Sequence, residues 1–139
     1  HGEGMLPLSR YTKIKGLTLE KSLDSAKIEA LVKKTVERGA EIVAFLGSGS
    51  AFFAPSAAIA QMVKAIAQDE KKILGACAYL DGEYGLKDIC LGVPCCLGRS
   101  GVEKIIELDL ADKERKELSS CAASMRNLLK QLPCGLSYV

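Results

Sequence analysis

Hydrophobic positions in the first half of the chain recur with the spacing of amphipathic helices. Between Asp24 and Arg38 they fall at i, i+3, i+4 and i+7, which predicts a helix there. Asp24 is suited to cap this helix. Gly39 interrupts the pattern, so Ala40–Leu46 is predicted to be a further helical piece at a changed angle. The apolar positions of the first stretch are Ile28, Leu31, Val32, Thr35 and Val36.

A glycine–serine loop then separates the first helical region from a second one. The loop is Gly47-Ser48-Gly49-Ser50, and the second helix is expected to be under way by Pro55, because proline fits a first helical turn. The loop lacks the lysine of a phosphate-binding loop and follows a helix rather than a strand. We therefore interpret it as a loop that allows close approach to the backbone. The predicted core stripe of the second helix is Ile59, Met62, Val63 and Ile66.

The period changes to that of strands after residue 71. Lys72–Leu80 is predicted as a strand, Asp81–Gly85 as a hairpin turn and Leu86–Leu97 as the return strand. Pro94 inside the return strand predicts an edge position or a bulge. A further turn leads into Val102–Leu108.

The last long element is predicted as a helix from Ala111 to Gln131, ended by Pro133. Met5–Tyr11 is expected to be a short strand or an extended entry, with a turn at Gly16. This order predicts an α+β fold with an antiparallel sheet, a three-strand meander plus an N-terminal strand, packed against long helices. The core positions predicted for the last helix are Leu118, Cys121, Ala122, Met125, Leu128 and Leu132.

Length and charge narrow the class of protein. The 139 residues predict a single domain over 1–139. The net charge of +2 comes from interspersed charges of both signs, so we expect no nucleic-acid partner. No apolar run reaches the ~18 residues of a membrane helix, so no membrane partner is expected.

The cysteines and the histidine limit the chemistry further. The single histidine and the absence of a Cys-x-x-Cys pair predict no metal site. Apolar surroundings favour structural thiols, hence a reducing, cytoplasmic location. A thiol-based redox protein stays open as an alternative. The six cysteines are Cys77, Cys90, Cys95, Cys96, Cys121 and Cys134.

His1 is the only histidine, and its pKa range, ~6.5 when unperturbed, suits proton transfer near neutral pH. The segment that it opens resembles the active-site segment of the lactate/malate dehydrogenase family, in which a His-Gly-Asp/Glu step carries the catalytic histidine. Further segments resemble the family in the same order along the chain, and only the tail Cys134–Val139 finds no counterpart. The matching segments are His1–Tyr11, Gly49–Pro55, Tyr79–Gly85, Gly92–Pro94 and Gly98–Ile105.

This resemblance implies a C-terminal, catalytic domain of an oxidoreductase that interconverts (S)-malate and oxaloacetate with NAD, as in the tricarboxylic acid cycle. It implies that the NAD-binding Rossmann half, the carboxylate that orients His1 and the substrate-binding arginines would all precede His1. The chain alone is then expected to be inactive. Its implied partners are malate or oxaloacetate, its own N-terminal half, and further copies in a homodimer or homotetramer.

The resemblance also assigns roles to residues. His1 would accept and donate the proton, Ser50 and Gly49 would contact substrate or cofactor, and Ala54 and Pro55 would shape the pocket wall. The segment from Ser50 to Pro55 favours malate. An L-lactate dehydrogenase and a non-catalytic binding or oligomerisation module remain as alternatives.

Overall fold

A computed structural model describes residues 4–131 of the chain. Its contacts divide into two compact units, residues 1–56 and residues 57–139. Helices and antiparallel strands make up both, so the predicted α+β class is confirmed.

A small β-hairpin lies near the beginning of the first unit, at residues 13–18. Strands β1 (Lys13–Ile14) and β2 (Leu17–Thr18) pair antiparallel. Lys15 and Gly16 have φ of 50° and 84°, and positive φ at both central residues is typical of a type I′ turn. The predicted turn at Gly16 is confirmed. For Met5–Tyr11 the predicted strand is wrong, since strand pairing starts only at residue 13. The predicted extended entry is only partly correct, because Ser9–Tyr11 forms a short 3-10 helix.

The longest helix of the described residues also lies in the first unit. After the short α1 (Leu19–Ser22), α2 spans Ser25–Leu46. Asp24 caps α2 as predicted, because its Oδ1 accepts a hydrogen bond from the Lys27 amide at 2.9 Å. The predicted break at Gly39 is wrong. A glycine inside a helix costs only about 1 kcal/mol relative to alanine, which is too little to end a helix that has good formers on both sides.

A three-stranded antiparallel sheet forms the centre of the second unit. Strands β3 (Lys72–Asp81), β4 (Lys87–Gly98) and β5 (Gly101–Ile105) lie in the order β3-β4-β5. A 3-10 turn at Glu83–Gly85 joins the first two. The predicted meander is therefore confirmed.

One face of this sheet forms the core. Burial alternates along β3 and β4 with the two-residue period of a strand that is covered on one side. Leu80 and Cys95 are completely buried. The buried sheet residues are Ala76, Ala78, Leu80, Ile89, Leu91, Val93, Cys95 and Leu97.

Two helices contribute to the same core. Helix α3 (Phe53–Ala67) supplies Ala65, and α4 (Asp112–Leu129) supplies Ala122, both at 0% exposure. An alanine at each contact lets the helix backbone approach the sheet closely. The predicted core residues that pack against this cluster are Met62, Leu118 and Cys121.

Other predicted core positions on these helices are wrong. Ile59 and Val63 of α3 are 60% and 59% exposed, and Leu128 of α4 is 59% exposed. Helical spacing identifies apolar faces but not which of them meets the sheet, and α3 is apolar on more than one face. Ile66 and Met125 are also exposed, at 36% and 38%. Leu132 and Pro133 lie outside the described residues.

Pro94 lies in β4, the central strand of the sheet, but at a position where the pairing with β5 has stopped, so the predicted edge position is present locally. Its partner on β3 is Gly75, and its carbonyl accepts a hydrogen bond from Ile106 at 2.8 Å. Since the N–H and C=O of a strand residue point to the same side, the missing N–H of Pro94 also faces that side, where the β4–β5 pairing ends at Cys95. The strand therefore tolerates proline at a local edge. The register shift of β4 against β5 lies elsewhere, between Cys96 and Leu97.

Candidate functional site

The predicted site residues Gly49 and Ser50 lie in the loop that ends α2. Gly47 follows the helix with φ of 70°, and its amide donates to the Ala44 carbonyl at 3.3 Å. Gly49 has φ of 86°. Both conformations favour glycine, so the Gly-Ser-Gly-Ser sequence is explained by the turn itself. Within residues 4–131, the Ser50 hydroxyl makes no hydrogen bond, and the residue is exposed.

The other predicted wall residues, Ala54 and Pro55, lie in the first turn of α3 and are exposed. That turn begins with a hydrogen bond from the Ser56 amide to the Phe52 carbonyl at 2.8 Å. Proline is tolerated here because the first amides of a helix have no partner within it. The structure therefore brings four of the five predicted site residues into one exposed segment, 49–55.

This segment is apolar and uncharged. No charged residue occurs from Ile42 to Val63. The rings of Phe52 and Phe53 lie 4.4 Å apart and are 59% and 81% exposed. The segment offers backbone amides, a hydroxyl and an apolar wall, but no acid, base or cation, so any proton transfer here needs a group from outside it.

The predicted source of that group, His1, lies outside the described residues. It is the only histidine of the chain. That His1 acts at the same site as Ser50 and Pro55 therefore stays a prediction.

Displaced pKa values point to structural contacts rather than to this segment. Burial raises the pKa of the Cys95 thiol. Tyr79 donates to Asp88 Oδ1 at 2.7 Å, and that hydrogen bond raises the pKa of Tyr79. The Lys27 contacts lower the pKa of Asp24 at the α2 cap. Among the described residues, no side chain with a displaced pKa falls between Ile42 and Val63.

A shallow cavity of about 720 Å³ lies on the outer face of the sheet, and the sequence did not point to it. Its lining includes Cys77, Tyr79 and Val102, together with Glu83 and Glu107. Both carboxylates are engaged with backbone amides, those of residues 81 and 84, at 2.8 and 2.6 Å. The outward-facing positions next to it on β3 and β4 include the small residues Gly75, Cys77, Cys90 and Gly92. The cavity gathers no catalytic set of side chains.

Residues 4–131 contain no cluster of His, Cys, Asp or Glu that would hold a metal ion. Between the same limits, no helix is long and apolar enough to cross a membrane. The five cysteines described there are free thiols.

Comparison with known proteins places this geometry in a family. Residues 1–135 match the lactate/malate dehydrogenase, alpha/beta C-terminal domain. The chain belongs to the lactate/malate dehydrogenase family, as the segments around His1 and Ser50 predicted.

Within the family, the chain is most like malate dehydrogenases. It is 49% identical over 133 residues to a malate dehydrogenase of Halalkalibacterium halodurans, covering 96% of this chain and 42% of that protein. It is 47% identical to one of Bacillus cereus, covering 95% of this chain and 42% of that protein. The chain thus spans less than half the length of these relatives.

Solved structures agree with the fold. A malate dehydrogenase from Salinibacter ruber, 45% identical, matches with a TM-score of 0.90 over 94% of this chain and 42% of its own. A lactate dehydrogenase from Eimeria maxima, solved with NADH and oxamate, is 35% identical and matches with a TM-score of 0.88 over 93% of this chain and 42% of its own.

Proposed function

We propose that this chain is the C-terminal, substrate-side domain of an NAD-dependent oxidoreductase that interconverts (S)-malate and oxaloacetate. The observation that carries the proposal is the 46–49% identity to malate dehydrogenases over nearly the whole chain. The exposed, uncharged segment 49–55 supports it, since such a surface suits the wall of a pocket shared with another domain.

His1 is the proposed general base and acid. Oxidation of a 2-hydroxy acid removes a proton from the hydroxyl and a hydride from the same carbon. A base with a pKa near the working pH is effective in this step, and the chain offers no second imidazole. In the reverse direction, protonated His1 donates to the carbonyl oxygen of oxaloacetate.

Ser50 is the proposed polar contact of the pocket, with Gly49 giving close backbone approach and Ala54 and Pro55 forming an apolar wall. The Ser50 hydroxyl is exposed and makes no hydrogen bond to the described residues 4–131, which supports this role because the hydroxyl is available to a ligand.

The described residues do not form a dinucleotide cradle. The Gly47–Ser50 loop follows a helix, whereas such a cradle joins a strand to a helix N-terminus. We therefore assign NAD, which supplies the hydride chemistry when bound, to a Rossmann half preceding His1. On this proposal the isolated chain does not catalyse NADH-linked reduction.

Further parts of the proposal rest on the same family membership. The enzyme is a homodimer or homotetramer that acts in the cytoplasm, in the tricarboxylic acid cycle. Light scattering of the intact protein tests the assembly, because a monomer would contradict it.

Two alternative functions have specific support. The lactate dehydrogenases among the structural neighbours, including that of Eimeria maxima at a TM-score of 0.88, favour an L-lactate dehydrogenase as the second candidate. The exposed rings of Phe45 and Phe53, at 83% and 81%, favour an assembly module that does no chemistry.

A chimera separates the catalytic candidates from the module. The C-terminal region of the Halalkalibacterium halodurans relative is replaced by this chain, and NADH oxidation is followed with oxaloacetate. We expect turnover, and a folded chimera without turnover would favour the module. Because the proposed substrate-binding arginines would come from the relative in this chimera, the choice between malate and lactate is tested on the intact protein. We expect it to reduce oxaloacetate faster than pyruvate, and a preference for pyruvate would favour the lactate alternative.

A further inference from the structure

The C-terminal end of α3 has a conformation that normally calls for glycine. The Asp69 amide donates to the Ile66 carbonyl at 3.2 Å, and the Glu70 amide donates to Ala65 at 2.9 Å. These two bonds define a Schellman motif, in which the residue at the Asp69 position is left-handed and usually glycine. Asp69 has φ of 53°, so an L side chain occupies a strained position.

The Asp69 side chain is tied to a distant turn. Its Oδ1 accepts a hydrogen bond from the Arg99 amide at 2.7 Å, thirty residues away in sequence. The same oxygen lies 2.9 Å from Lys71 Nζ. A glycine would relieve the strain but would lose both contacts, which accounts for aspartate here.

Lys71 repeats the pattern two residues later. Its φ is 51°, again left-handed, and its Nζ lies 2.5 Å from each carboxylate oxygen of Glu103. One ammonium thus joins Asp69 at the end of α3 to Glu103 on β5.

Gly98 shows that this junction is closely packed. A Cβ added to Gly98 would lie 2.7 Å from Glu103 Cδ and 2.8 Å from Lys71 Cδ. The two side chains therefore cross directly over the glycine backbone. A larger residue at this position would require the Glu103 and Lys71 side chains to shift.

We propose that Asp69, Lys71 and Glu103 form an ionic clasp that holds a strained corner closed and makes its opening depend on ionic strength. The clasp joins the end of α3 to β5, next to the β4–β5 turn. Its three side chains are 34%, 51% and 23% exposed, so dissolved ions reach them.

Salt screens the clasp but leaves the backbone strain unchanged. Raising NaCl from about 0.01 M to about 1 M shortens the Debye length from about 30 Å to about 3 Å. Opposite charges then attract less, while the left-handed conformations at Asp69 and Lys71 stay equally unfavourable. The balance moves towards local opening, in which the Glu70 and Arg99 amides lose their acceptors.

Amide hydrogen exchange of the full chain, resolved by residue, tests the clasp. We expect the Glu70 and Arg99 amides to exchange about tenfold faster in about 1 M than in about 0.01 M NaCl, relative to the β4 amide of Leu91. Equal salt responses at all three amides would overturn the proposal.

Two variants separate the ion pairs from the strain. Glu103→Gln breaks the clasp and keeps the strain, so its Glu70 amide should exchange in low salt as fast as the wild type does in high salt. Asp69→Gly removes the strain at residue 69, where the Glu70 amide is bonded to Ala65, so this amide should stay protected at every salt concentration. The matched control is Glu117→Gln, which removes the same charge from an exposed pair on α4. A Glu103→Gln variant that behaves like this control would refute the clasp.

Discussion

Gly39→Ala is expected to stabilise the chain, because α2 runs unbroken through this position. A Cβ added at Gly39 meets no atom within 4 Å among the described residues. The substitution therefore adds helix propensity without a steric penalty. Replacing glycine by alanine inside an exposed helix is worth about 1 kcal/mol, which corresponds to a rise in Tm of about 4 °C for a chain of this length.

Thermal unfolding followed by circular dichroism measures this effect. The matched control is Ala40→Gly, which makes the reverse change at the next exposed position of the same helix and should lower Tm by a similar amount. Both variants are measured at several protein concentrations, because association would make Tm depend on concentration. A lowered Tm for Gly39→Ala would contradict a helix that is continuous and exposed at this position, and it would indicate that α2 is broken at Gly39.

Three further predictions concern the core, the thiols and the helix cap. Leu80→Ala should lower the free energy of unfolding by about 3 kcal/mol in urea titrations, whereas Ile73→Ala on the opposite face of β3, 59% exposed, should change it by less than about 1 kcal/mol. Iodoacetamide should label the exposed Cys77 well before the buried Cys95, whose pKa burial raises; equal labelling rates would contradict this. Asp24→Ala should lower Tm near neutral pH, and the difference should vanish in acid. Because folding lowers the pKa of Asp24, the charged cap stabilises the folded chain at pH values above the usual carboxyl pKa of 3.8, and this stabilisation is lost as the pH falls below that value. A Tm difference that persists in acid would exclude the carboxylate as the cause.

The sheet was predictable because its pattern is local. Alternation along β3 and β4, with a turn at Asp81–Gly85 between them, fixes which side chains face the core. The burial partners of the helices were not predictable in this way. Ala65 and Ala122 are completely buried, while the larger Val63 and Leu128 are mostly exposed. A small side chain at a close contact gives a weaker hydrophobic signal than a large one left uncovered.

The candidate site was predictable through its sequence motifs rather than its physics. Gly49 and Ser50 carry no charge, and both are exposed, so periodicity and composition alone would not have identified them as site residues. The motif from Gly49 to Pro55, placed after a His-Gly-Glu step at His1, carried the assignment. The clasp of Asp69, Lys71 and Glu103 gave no such motif, because Lys71 and Glu103 are 32 residues apart in sequence and meet only through the fold.

The proton-transfer role of His1 is tested most directly by the ratio of two kcat values, with and without the imidazole. The kcat of NADH-linked oxaloacetate reduction is measured for the chimera with the Halalkalibacterium halodurans relative, with His1 intact and with His1→Asn. Loss of general acid–base catalysis predicts a kcat at least ~100-fold lower in the variant, with unchanged folding by circular dichroism. A near-normal kcat for His1→Asn would contradict the role assigned to His1.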